Sequence, residues 1–422
     1  MNMIYAIYDI ATTLAAPFTA GWLAVWPQLR PLLGRFRPQS GQIQGRPLWF
    51  QACSVGEVTV AAALIERART RWPHVPILIS TSTINGRQRV TELLPDAPSA
   101  WFPIDHRASV TGFLKRAAPC MLVLVETEIW PNAIRYARQR DIPVVIVNGR
   151  ISDRHYPRYL RFRNILKPVL NQLSGVAVQN DVYAGRFEAL GVPVSRIRVT
   201  GNTKFEGLVT NIDDKKLAAL REASGLDTGG PIIVFGSTRP GDEALAASCW
   251  DVLRASMPES RLVVAPRHTE RVSEITRLFD EPVRYRSNRN GSKPDARILI
   301  VDSLGELVSF YALADIAVIG GSFYPGVNGH NPLEPAALGV PTVFGPHMRN
   351  FMDPAEALIK HGGAVQVNDP DQLAPTLMRI LNAPAEADTI VHGARTAIAE
   401  NEGATARTMD FLGEHLAGKG GR

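Results

Sequence analysis

From Gly45 onward the chain alternates short apolar runs with longer amphipathic ones, and it does so in two successive series. The apolar runs of the first series cover residues 48–52, 77–81, 100–103, 121–125, 143–147 and 175–179. Those of the second cover 197–200, 231–235, 261–265, 298–302, 316–319 and 341–344. Between most of them lie helical patterns, such as 58–69 and 242–255. Strands alternating with helices predict βαβ units and parallel sheets. Two series of about six strands exceed one sheet of ordinary size. The expectation is therefore an α/β chain with two doubly wound domains, divided near residues 203–211. Adding the apolar N-terminus gives three parts, 1–36, 37–205 and 206–415, which suits a chain of 422 residues. Residues 287–295 read as an exposed polar loop and 418–422 as a disordered tail.

In open parallel sheets, ligands bind beyond the carboxyl ends of the strands. The unusual residues of this chain follow its apolar runs repeatedly. They are Ser54-Val55-Gly56-Glu57, Thr81-Ser82-Thr83, Glu126-Thr127-Glu128, Asn148-Gly149-Arg150 and Gly201-Asn202-Thr203-Lys204 in the first part. In the second they are Gly236-Ser237-Thr238-Arg239, Pro266-Arg267-His268 and Gly320-Gly321-Ser322. A cleft between two facing domains would collect them. Gly236-Ser237-Thr238 and Gly320-Gly321-Ser322 offer close backbone approach and donors suited to a phosphate. Arg267 suits a phosphate or carboxylate. Asn331 and Pro332 read as the cap and first turn of a helix whose N-terminus favours an anion.

Each signal has a plainer reading. Glycine after a strand is commonly a tight turn. Ser54 and Glu57 match a capping box, in which Glu57 only caps its own helix. Glu126 and Glu128 read equally as surface carboxylates, Lys204 as a solvated lysine, and His268, His330 and His347 as scattered singles. Other chemistries are disfavoured. Gly241 is followed by Asp242 rather than the lysine of a P-loop, no Gly-x-Gly-x-x-Gly follows the first strand, and no Gly-x-Ser-x-Gly elbow occurs. The three cysteines, Cys53, Cys120 and Cys249, are far apart and suit neither a disulfide framework nor a zinc site. The net charge of +6 favours anionic partners. No basic block with interleaved aromatics supports nucleic acid.

Residues 3–26 form an apolar stretch of about bilayer length, with Asp9 its one charge and Tyr5, Tyr8, Trp22 and Trp26 near its ends. Arg30, Arg35, Arg37 and Arg46 follow, which places the body of the protein on the cytoplasmic side of a membrane. No basic region precedes the stretch, as a signal peptide requires. Because Asp9, Thr12, Thr13 and Pro17 interrupt it, a helix lying in the interface stays open beside a spanning one, as does a buried core helix.

The motifs together resemble the family of 3-deoxy-D-manno-octulosonic acid (Kdo) transferases. The strings are SVGEV at 54–58, ETEIWPN at 126–132, NGRIS at 148–152, GNTKF at 201–205, GSTRPGDE at 236–243, PRHTER at 266–271, LGEL at 304–307 and GGSFYPGVNGHNPLEPAALG at 320–339. The resemblance implies a GT-B fold: two Rossmann-like domains, the first for the acceptor and the second for the nucleotide sugar, with an N-terminal membrane-anchor helix. It implies Glu57 as general base and Glu126 and Lys204 as stabilisers of the transition state. It puts CMP-Kdo on Pro266 and Arg267, on Leu304, Gly305 and Glu306, and on Asn331, Pro332, Leu333 and Glu334, to which the glycine-loop reading adds Gly236 and Ser237. The implied reaction is inverting transfer of Kdo from CMP-Kdo to a lipid A precursor at the cytoplasmic side of the inner membrane. It needs no metal and no cofactor. Gln51, Cys53 and Leu304 depart from the usual pattern, and Gln51 bears on the acceptor side. Two rivals remain: a GT-B transferase of another nucleotide sugar, and a non-catalytic membrane-bound lipid- or nucleotide-binding protein.

Overall fold

Apolar runs that are buried on both faces form parallel strands, and here they form two sheets. The computed structural model describes residues 3–39, 43–227, 229–287, 293 and 295–417. The first sheet contains β1 (Leu48–Gln51), β2 (Ile77–Thr81), β3 (Ser99–Trp101), β4 (Met121–Val125), β5 (Val144–Gly149), β6 (Gly175–Val178) and β7 (Ile197–Val199). Its order is β3-β2-β1-β4-β5-β6-β7, every pair parallel. The second contains β8 (Ile232–Thr238), β9 (Arg261–Pro266), β10 (Val283–Tyr285), β11 (Ile298–Ile300), β12 (Ile316–Ile319), β13 (Thr342–Phe344) and β14 (Val365–Gln366). Its order is β10-β11-β9-β8-β12-β13-β14, also parallel. All residues of β1, β2, β4 and β5 are buried, which is why the sequence shows them as unbroken apolar runs.

Three details differ from the sequence reading. The run at 197–200, grouped there with the second series, is the edge strand β7 beside β6. β10 and β14 were not foreseen: they are short, and Arg284 and Gln366 break their apolar character. The C-terminal helix Ala404–Ala417 belongs to the first unit and not to a second domain ending at 415. The chain forms one unit from the residues up to Glu206 plus those from Gly403 onward, and another from Gly207–Glu402. The reason is apolar burial. Met409, Phe411 and Leu412 of the returning helix pack with Phe50, Ile79 and Val123 of the first sheet. The tail 418–422 and most of the loop 287–295 lie outside the described residues.

The other face of the first sheet buries Trp49, Phe102, Phe113 and Ile134. The second unit has its own core around Phe235, Trp250, Leu253 and Ile300. Each such side chain contributes roughly 1.5–3 kcal/mol on burial.

The first helix, Met3–Val25, packs on the core of the first unit through buried Tyr5. Tyr8 donates to Asp105 at 2.9 Å, and Asp9 pairs with Arg135 at 3.0 Å. Ile7, Ile10, Leu14, Phe18, Trp22 and Val25 are exposed. Their spacing puts them on one stripe of the helix. Among the described residues no helix is long and apolar enough to cross a membrane. The spanning form of the anchor therefore has no counterpart in this helix.

Candidate active site

The first sheet reverses its strand order between β1 and β4, which makes their carboxyl ends a switch point. Beyond β1, Ser54 caps the helix Val55–Arg71, its Oγ accepting from the Glu57 N–H at 3.3 Å. The Glu57 carboxylate in turn accepts from the Cys53 N–H at 2.7 Å and from the Ser54 hydroxyl at 2.8 Å. The capping reading of Glu57 thus holds as geometry. It does not exhaust the residue. Burial, then the charges of Glu128 and Glu126, push the Glu57 carboxyl up to about 8.

Beyond β4, Glu126 adopts a left-handed φ of 60°. Backbone of that kind costs about 1–3 kcal/mol in a non-glycine residue and collects at functional sites. Glu126 Oε1 accepts from Lys204 Nζ at 2.7 Å, and Oε2 lies 4.0 Å from Arg150 Nε. Asn148, at the end of β5 and also left-handed at φ 52°, accepts from the Thr203 N–H at 3.1 Å. Asn202 accepts from the Lys204 N–H at 3.0 Å. The ends of β4, β5 and β7 are thereby joined, and Lys204 is an ion-pair partner rather than a solvated lysine.

Glu128 is a third carboxylate here, for which the sequence suggested no task. Its Oε2 accepts from Trp130 Nε1 at 2.8 Å and Gln51 Nε2 at 3.3 Å. Gln51 is itself held by Ser80, and Ser80 by Trp49 Nε1, in a buried relay. The Gln51 departure thus holds a carboxylate. Burial raises Glu128 above the ordinary carboxylate range. Burial also pushes the Cys53 thiol up to about 12, so it is a neutral group that accepts from Ser82.

The second sheet reverses between β8 and β12. Here two of the glycines are required by close packing. A Cβ on Gly236 would lie 1.9 Å from the Tyr311 hydroxyl, and one on Gly320 2.5 Å from the Ser237 carbonyl. The Gly321 N–H donates to Asp242 at 2.5 Å, and the buried Ser322 hydroxyl donates to the Ile319 carbonyl. The Gly321 N–H and the Ser322 hydroxyl thus already have partners within the fold. Ser237 is different. It is part-exposed, sits at φ 54° where the β8–β9 register shifts, and leads into Arg239.

A cationic cluster surrounds this loop. Asp242 accepts from the Arg239 N–H at 2.9 Å; Arg239 meets His268 Nε2 at 2.5 Å and His330 Nε2 at 3.4 Å. Burial, then Arg239, Arg267 and His268, push His330 down to about 4, so its ring is neutral. Arg267 follows Pro266 at the end of β9 and is exposed. Glu334, raised by burial, accepts from Asn331 Nδ2 at 3.2 Å and feels the Arg267 charge. Asn331 Oδ1 accepts from the Leu333 N–H at 3.1 Å. The helix there is only Leu333–Ala337, with Pro332 just ahead of it and Leu333 buried in its base. Leu304 is 76% exposed, and Gly305 has a φ of 85° with open space around it. Glu306 pairs with Arg286 at 2.7 Å.

The structure thus brings Glu57, Glu126 and Lys204 together in the first unit, and Arg267, Asn331 and Glu334 in the second. Arg239, His268 and His330 join the latter cluster although the sequence marked the histidines as isolated. Their place in the PRHTER and GHNPLEP strings was the available signal. Among the described residues no group of three or more His, Cys, Asp and Glu is placed to hold a metal ion.

Residues 28–207 match the family described as 3-deoxy-D-manno-octulosonic-acid transferase (kdotransferase). A 3-deoxy-D-manno-octulosonic acid transferase of Haemophilus influenzae is 32% identical over 375 residues, 87% of either chain. One of Bordetella pertussis is 31% identical over 434 aligned positions, covering 97% of this chain and 99% of the relative. In fold, a glycosyltransferase from Rickettsia africae superposes with a TM-score of 0.57 at 12% identity, over 90% of this chain and all of its own.

Proposed function

The chain belongs to the 3-deoxy-D-manno-octulosonic acid transferase family, and we propose on that premise that it moves Kdo from CMP-Kdo to a phosphorylated lipid A precursor. The enzyme is a glycosyltransferase. The observation that carries the finer reading is Glu57, a part-buried carboxylate pushed up to about 8 beside the Glu126–Lys204 pair. A base poised near the working pH is both sufficiently ionised and sufficiently strong to take a proton.

In this reading Glu57 removes the proton of an acceptor sugar hydroxyl as its oxygen attacks the anomeric carbon of Kdo. The bond to the CMP phosphate breaks, and the phosphate leaves with the electron pair. Attack opposite the leaving group inverts the centre. Lys204, held by Glu126, stabilises the negative charge that accumulates. Arg267 takes the phosphate or the Kdo carboxylate, with Pro266, Ser237, Asn331 and the Leu304–Gly305 turn shaping the site around the CMP. The cations of the Arg239 cluster support departure of the phosphate without a metal. No cofactor enters beyond the donor itself.

The acceptor is a lipid, and the exposed stripe of the first helix supports its capture at a surface. Ile7, Ile10, Leu14, Phe18, Trp22 and Val25 suit burial among acyl chains with the helix lying in the interface. Exposed Arg30 and Arg37 suit anionic headgroups, which supports a position at the cytoplasmic side of the inner membrane. The test is Glu57→Gln, which abolishes transfer yet retains CMP binding by calorimetry. Retained turnover leaves Glu57 as a helix cap only.

A further inference from the structure

The segment between the first helix and the first strand has a role that anchoring does not explain. The 3-10 stretch Pro27–Phe36 packs on β3 at Gly34, where a Cβ would lie 2.7 Å from the Trp101 ring. Its backbone is tied down at Arg35. The Arg35 carbonyl accepts from the Ile104 N–H at 2.9 Å and the Ser109 hydroxyl at 2.8 Å. The Arg35 side chain then turns inward. Its Nε donates to the Phe102 carbonyl at 3.1 Å, and its guanidinium carbon stands 5.7 Å from the centre of the Trp130 ring. That indole also packs on Phe102 at 5.1 Å and donates to Glu128. A residue from the membrane-facing segment thus stacks on the ETEIWPN loop.

The first helix grips the helix that the same loop leads into. Asp105 is buried and accepts from the N–H groups of Asn132 and Ala133, at 2.9 and 2.8 Å, capping the helix that the loop leads into. Tyr8 donates to that carboxylate. Asp9 takes Arg135 and Tyr136 one turn further along, each at 3.0 Å. The loop bearing Glu126 and Glu128 is therefore held on its C-terminal side, at Trp130 by Arg35 and at the following helix by Asp105, Tyr8 and Asp9.

We propose that Arg35 is a positioning residue for transfer: delivered by the N-terminal segment, it fixes the Trp130–Glu128 arm and balances the carboxylates of the site. The proposal rests on the transferase reading above. The charged and titratable groups in play are few. Glu57 faces Glu128, Glu126 and the Cys53 thiol; Glu128 faces Arg35, Glu126 and Tyr159; Glu126 is paired with Lys204 and lies near Arg150. Arg35 is the cation that offsets Glu128. Removing it raises the carboxylates as a set, so the acidic limb of the rate profile moves to higher pH. Tethering through Tyr8 and Asp9 makes the same segment a link between membrane docking and the order of the catalytic loop.

The experiment uses full-length wild type, Arg35→Gln and Arg35→Lys, each first shown to melt cooperatively. Hydrogen exchange is followed over residues 126–133. Transfer is measured against pH with detergent-dispersed acceptor, and binding to phosphatidylglycerol vesicles is measured by sedimentation. Losing a charged hydrogen-bond donor predicts loop exchange faster by about tenfold in Arg35→Gln. The same variant keeps vesicle and CMP binding, loses kcat by about tenfold, and shows its acidic limb at higher pH. Arg35→Lys keeps the charge and restores the limb. Wild-type loop exchange in Arg35→Gln overturns the proposal whatever the activity. So does a loss of vesicle binding alone, with kcat and pH profile unchanged. Absence of Kdo transfer by the wild type would instead sink the transferase reading, while the exchange arm still decides the role of Arg35.

Discussion

At the scale of single residues, Glu57 combines a cap with a base, and the two roles pull stability in different directions. The Ser54–Glu57 spacing makes the cap legible in the sequence. The raised pKa was not legible, because it comes first from burial in the fold and then from Glu128 and Glu126, which arrive from a different strand. A carboxyl raised to about 8 in the fold contributes stability that is fully present below its ordinary pKa and is lost as pH rises through 8. Glu57→Gln is accordingly expected to melt above wild type near pH 9, with the gap closing towards about pH 5 in a calorimetric series. Wild-type transfer should rise with pH up to about 8. The Glu126–Lys204 pair is mostly buried, with side chains 14% and 10% exposed. Lys204→Met takes from Glu126 its closer ion-pair partner and is expected to cost about 3 kcal/mol in urea unfolding, besides abolishing transfer. Arg267 is exposed, so Arg267→Ala should spare the melting temperature and raise the donor KM by about tenfold or more.

At the scale of elements, parallel strands buried on both faces leave continuous apolar runs, and nearly all of them could be read. β10 and β14 could not, since three and two residues carry too little pattern. The first helix shows the opposite problem. Its hydropathy and length left spanning, interfacial and buried helices open, but the period of its exposed apolar residues carries the more useful information. Position 7 recurs at 10, 14, 18, 22 and 25, one face of a helix whose other face holds Tyr5, Tyr8 and Asp9. Phe18→Glu with Trp22→Glu is expected to weaken vesicle binding by well over about tenfold while leaving CMP binding intact. The glycine loops of the second unit carry a related lesson. Gly236 matches a phosphate loop in sequence, yet its lack of a side chain accommodates Tyr311.

At the scale of the whole molecule, the chain leaves its first unit after Glu206 and returns to it at Gly403. Local patterns do not record such a return, because any amphipathic helix fits either sheet. The consequence is testable. A fragment ending at residue 206 leaves the surface under Met409, Phe411 and Leu412 bare, at about 1.5–3 kcal/mol for each large side chain. It should be insoluble or unfolded, and adding residues 403–417 in trans or by fusion should rescue it. The central claim concerns chemistry, and one measurement meets it directly. Full-length protein is incubated with CMP-Kdo and a tetra-acylated, bis-phosphorylated lipid A precursor, and the lipid is weighed by mass spectrometry. The account predicts a mass gain of one or more whole Kdo residues, lost in Glu57→Gln. An unchanged lipid with intact CMP-Kdo, under conditions where the protein is folded and binds vesicles, would contradict it.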